Sequence, residues 1–128
     1  MTTEFKLTPH ADYLHVALAP GYEICPEGVT EMLKSVSDVC ARQGQRRVLI
    51  EGTVAARRMA TMDSFAVGTL AGSMLAGVSL ACCFYGYKPD EKSLFFKDVA
   101  QNRGVRVEFF GDRDEALRWL GVGPAQPV

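Results

Sequence analysis

Ser64 to Tyr87, SFAVGTLAGSMLAGVSLACCFYGY, runs for 24 residues without a charged side chain, and its reading decides the fold. At about 20 apolar residues per span, it is long enough to cross a bilayer. Its punctuation points to a soluble core instead. Gly68, Gly72 and Gly77 interrupt it, and Thr69, Ser73 and Ser79 dilute it. The pattern also changes at Gly77. Residues up to Ala76 suit a helix, whereas Val78 to Tyr85, VSLACCFY, suit a strand. A short apolar run after a glycine, carrying aromatic and β-branched residues, is the mark of a parallel strand covered on both faces. No other segment is long enough to join a membrane bundle.

Working outward, the helix over Met62–Ala76 follows a loop, Thr53 to Ala60, and a short strand, Arg47–Glu51, ending at Gly52. Upstream, Pro26 sits where a first helical turn tolerates proline. Val29, Met32, Leu33, Val36, Val39 and Cys40 follow at helical spacing, and Gly44 closes the element. Phe5–Thr8 and Tyr13–Leu18 alternate with period two around Pro9-His10-Ala11-Asp12, which predicts a hairpin. Downstream, Pro89, Asp90 and Glu91 open a helix that Gly104 stops. Val105, Val107 and Phe109 alternate with Arg106 and Glu108, so this strand has a solvated face or lies at an edge. Asp112 and Glu115 form a capping box for a last helix carrying Ala116, Leu117 and Leu120, closed by Gly121.

The order is β-β-α-β-α-β-α-β-α. Alternation of this kind predicts an α/β fold: a mostly parallel sheet with an N-terminal β-hairpin and four helices. The 128 residues are read as one domain, with residues 122–128 as a frayed tail.

Fourteen basic against fifteen acidic residues and a pI near 6.1 argue against a general nucleic-acid binder. Cys25, Cys40, Cys82 and Cys83 lack zinc spacing and fall inside helix or strand patterns, so they read as reduced core cysteines. Cys82 and Cys83 point to opposite faces of one strand. Met1 to Lys6 has no apolar signal core, and the expected location is cytoplasmic. His10 and His15 have no cysteine or second histidine at ligand spacing, so no metal site is expected. No nucleophile has a recognisable base beside it, and neither GxGxxG nor a P-loop occurs. No cofactor and no catalysis are expected.

Met62-Asp63-Ser64-Phe65-Ala66-Val67-Gly68 opens the helix after the third strand of this order. With Phe96 to Gly104 and Phe109 to Leu120, it resembles the STAS domains, and within them the SpoIIAA-like group related to bacterial anti-sigma-factor antagonists. The resemblance covers roughly Phe5 to Gly121 by element order. It implies a non-enzymatic module. In the antagonists the corresponding helix begins Asp-Ser-Ser-Gly or similar, and the second hydroxyl is the kinase target. Here Phe65 occupies that position, and the preceding loop is longer and carries Arg57-Arg58.

Asp63 and Ser64 are both N-cap types. Ligands of parallel α/β sheets sit beyond the carboxyl ends of the strands, where helix N-termini offer free amides. Arg57, Arg58, Lys88 and the first turn at Ser64 are therefore the expected site for an anionic head group. Phe65, Leu70, Met74, Phe84 and Phe95 are the expected apolar lining, with Leu75 beside them. Gly68, Gly72 and Ala76 form a small-residue stripe, read first as close packing of the helix on the sheet; a homodimer contact or a ligand-filled gap are the alternatives. The preferred function is binding of a small nonpolar or amphipathic, lipid-like molecule, with at most peripheral membrane contact. The alternative is a protein partner meeting the exposed helix start, Met62, Asp63, Ser64 and Phe65.

Overall fold

A computed structural model describes residues 5–57 and 59–122, with 55–57 described by their backbone alone. Six strands and four helices fall among the described residues: β1 (Phe5–Pro9), β2 (Leu14–Leu18), β3 (Tyr22–Ile24), α1 (Pro26–Gln43), β4 (Arg47–Arg57), α2 (Thr61–Leu75), β5 (Ser79–Tyr85), α3 (Glu91–Gln101), β6 (Arg106–Phe110) and α4 (Arg113–Leu120). The tail from Gly123 lies outside the described residues.

The sheet runs β1-β2-β4-β5-β6, and β3 pairs with β4 off this path. Only β1 is antiparallel to its neighbour. Each crossover β2-α1-β4, β4-α2-β5 and β5-α3-β6 steps to the next strand in the same direction. Crossovers of one hand then place α1, α2 and α3 on the same face. There Val16, Ile50, Leu80, Cys82 and Val107 from the strands meet Leu33, Val36, Ala71, Leu75 and Ala100 from the helices. The short α4 covers part of the other face, over Leu49, Ala81 and Cys83. Cys82 and Cys83 thus serve opposite cores, as the period of a strand requires.

The junction at Gly77 behaves as its sequence implies. Helix α2 ends at Leu75, Gly77 takes a positive φ of 87°, and β5 begins two residues later. Leu80 to Phe84 are buried in the middle of the sheet. The other boundaries follow their caps. Pro26 occupies the first turn of α1, and Gly44 closes it at φ 68°. The Asp90 carboxylate accepts the Ser93 amide at the start of α3, and Asp112 accepts that of Glu115 at the start of α4. Strand β6 lies at the sheet edge, as its alternation predicts. Among the described residues no helix is long and apolar enough to cross a membrane.

Two features differ from the sequence reading. Strand β4 does not stop at Gly52 but continues to Arg57, so most of the expected loop is strand. The extension has a backbone partner in β3, which pairs Tyr22 with Val54 and Ile24 with Arg57 across a register shift. The small-residue stripe of α2 faces α3 rather than the sheet. A β-carbon on Gly68 would stand 2.8 Å from Cγ1 of Val99. Glycine there lets two helix backbones approach more closely than any side chain would allow.

Candidate functional site

The loops at the carboxyl ends of β4 and β5 lead into α2 and α3, and β3 leads into α1. The first turns of three helices therefore gather at one end of the sheet. Beneath them lies a cavity of about 80 Å³. Ile50, Leu80, Cys82, Phe84 and Phe109 form its floor, Tyr22 and Ile24 of β3 one wall, and Val29, Met32 and Leu33 of α1 another. Met59, Ser64 and Val67 close it from the α2 side, and Tyr87, Lys92, Ser93 and Phe96 from the α3 side. The lining is almost wholly apolar, with a few polar groups near the helix starts. That is the usual make-up of a small-molecule site.

Ser64 is a buried polar residue of this lining. It is 2% exposed, and its amide donates to the Ala60 carbonyl in the first turn of α2. No hydrogen bond ties its hydroxyl to another described residue. Ser93 differs. Its hydroxyl bonds with the Tyr87 hydroxyl and with the Asp90 carboxylate, at 3.2 Å from the latter. Lys92, on the same turn of α3, lines the cavity and makes no ion pair with a described residue.

The structure brings together only part of the expected site. Ser64 lines the cavity, but it does not cap α2. Ala60 is the N-cap residue, and Asp63 reaches back to accept its amide at 2.8 Å. Lys88 is exposed and off the lining. The Arg57 side chain and all of Arg58 lie outside the described residues. Of the expected apolar lining, Phe84 alone faces the cavity. Phe65 is 40% exposed, its ring lies 6.4 Å from that of Phe95, and the Arg103 guanidinium sits 5.6 Å over it. Leu70 and Met74 pack against the core farther along α2, and Leu75 is buried there. The expected partner surface is also divided. Met62 and Phe65 are exposed, Asp63 is half-buried in its capping bond, and Ser64 faces inward.

Lys92, Tyr87, Met59 and the residues of α1 and β3 were not expected to line a site. An uncharged helix shows no polar face to mark its inner side. A lining assembled from seven elements also has no spacing within any one of them.

Cys82 is a lining residue but not a nucleophile. Burial, with the nearby Cys83 and Glu108, pushes its thiol up to about 12, and a protonated thiol is inert. On the opposite face, Glu51 gathers a polar cluster. It lies 2.8 Å from Nε2 of His15, accepts the Tyr85 hydroxyl at 2.5 Å, and has Arg113 at 3.8 Å. Burial pulls its carboxyl up, but the bonds from Tyr85 and His15 and the charge of Arg113 outweigh it and leave the carboxyl below the usual range. With both carboxylate oxygens engaged, this cluster joins β2, β4, β5 and α4.

No protein-family model matches the chain, and no curated protein matches it either.

Proposed function

We propose that this chain is a non-enzymatic, cytoplasmic binding module of STAS type, whose cavity holds a small nonpolar or amphipathic molecule. The observation that carries the reading is an almost wholly apolar cavity walled by the first turns of three helices, with the buried residue Ser64 on its α2 side. The cavity also lies under the first turns of three helices, at the end of the sheet where parallel α/β folds bind ligands. Native mass spectrometry of freshly purified protein tests the reading, with Val67→Phe as the filled-cavity control. A small molecule retained by the wild type and lost from the variant supports it. Equal retention by both contradicts it.

A protein-interaction role related to anti-sigma antagonism is the second reading. Met62 is 73% exposed and Leu94 47%, with Phe65 also at the surface. Large apolar side chains exposed near the starts of α2 and α3 favour a partner surface. Met62→Asp and Leu94→Asp would then abolish partner binding while leaving ligand retention intact.

A further inference from the structure

Resting on that ligand-binding reading, we infer that the ligand is an uncharged, compact molecule with an apolar body of about three to five carbons, to the exclusion of ionised lipids and long acyl chains. Size sets the body. A cavity of about 150 Å³ takes a benzene ring. At about 80 Å³ this one has room for roughly half as many carbons. Met32 and Met59, flexible and unbranched, can yield space for roughly one or two more. A long acyl chain would have to part the helices from the sheet.

The wall sets the charge. Ile50, Leu80, Phe84 and Phe109 of the floor offer an ion no side-chain hydrogen bond. The hydroxyls on the α3 side are engaged with one another: Tyr87 and Ser93 share a hydrogen bond, and Ser93 also donates to the Asp90 carboxylate at 3.2 Å. Lys92 is the one charged residue of the described lining, half-buried at the second position of α3. A lysine stem covers apolar surface while its ammonium stays in water, and on this inference Lys92 contributes its stem alone. Cys82 reports the same medium. Burial, with Cys83 and Glu108 nearby, pushes its thiol up to about 12, so this wall disfavours an ionised group even when the chain itself holds it there. A charged ligand would give up its hydration without a partner to replace it, which is costly. An uncharged one leaves its water at a gain.

Titration with straight-chain primary alcohols from ethanol to octanol, beside the matched carboxylates, tests the inference, with the Ile50 and Leu80 methyl NMR signals as the readout. Alcohol affinity should rise roughly fourfold per carbon, peak at about three to five carbons and then fall. Carboxylates should enter only as the neutral acid, which loses its proton at about pH 4 to 5. Their affinity should therefore drop about tenfold per pH unit above that range, while that of the alcohols stays level. Lys92→Gln should leave both series unchanged. Carboxylates that bind as tightly as alcohols at neutral pH, or that lose affinity in Lys92→Gln, would overturn the uncharged assignment. Affinity that climbs through octanol would overturn the size limit. Either result leaves the apolar-cavity reading standing. If neither series shifts these methyl signals, both fall.

Discussion

Gly72 of α2 lies so close to Arg103, just beyond α3, that an added β-carbon would stand 2.4 Å from the arginine's Cβ. Real atoms do not approach that closely, so a side chain at this position has to push the two elements apart. Replacing an interior helix glycine by alanine normally gains about 0.5 to 1 kcal/mol. Here the sign should reverse, because overpacking costs about 1 to 3 kcal/mol. Gly72→Ala and Gly68→Ala should both lower the melting temperature by several degrees, and Gly72→Leu by more. Calorimetry checks this, and a rise for either alanine variant would mean that α2 and α3 are less closely apposed.

Glu51 should make stability depend on pH in one direction. Its carboxyl is lowered on folding from an ordinary value of 4.5. The stabilisation is therefore fully present above about that pH and is lost as pH falls through the folded value. Glu51→Gln should cost about 1 kcal/mol at neutral pH. The gap to the wild type should narrow progressively as pH falls below about 4.5, as urea denaturation at several pH values would reveal. A gap that persists undiminished in acid would place its origin in packing rather than charge.

The four thiols should divide by exposure. Cys40, Cys82 and Cys83 are buried and Cys25 is half-exposed at the start of α1. Burial raises the first three above their ordinary value. A thiol-exchange reagent at pH 8 should therefore titrate one cysteine quickly in native protein and the others only on unfolding. Fast reaction of two or more would show that the β5 core opens readily.

A serine kinase of the anti-sigma type should leave Ser64 unmodified. On the proposed STAS reading Phe65 stands at the acceptor position, and Ser64 lines the cavity within the first turn of α2. Mass spectrometry after incubation with such a kinase should find no phosphate there. Stoichiometric phosphoserine would require the turn to unwind and would favour the partner-binding reading.

The element order was legible because each boundary carries its own chemistry: a proline in the first turn of α1, aspartate caps at α3 and α4, and glycines after α1 and α4. The divide at Gly77 was legible because helix and strand impose different periods on one uncharged run. The extension of β4 was not, since its backbone partner is the three-residue β3, too short to show a period. Of the residues that line the cavity, Ser64 was legible from its place at a helix start beyond a strand end, and Phe84 from the uncharged apolar run that holds it. Phe65 and Phe95 were misplaced because α2 is apolar on nearly all sides, so composition cannot say which side meets the sheet. Lys92 escaped because it is the second residue of α3, past the loop where cations were sought.

Methyl-resolved carbon–proton NMR during titration with short amphipathic probes, butanol and pentanol, tests most directly that the cavity is the binding site. The methyl signals of Ile24, Met32, Met59, Val67 and Leu80, all at its wall, should shift saturably. Those of Leu117 and Leu120 under α4 should stay in place. The absence of saturable shifts, or shifts gathered at exposed Met62 and Leu94 instead, would contradict the account.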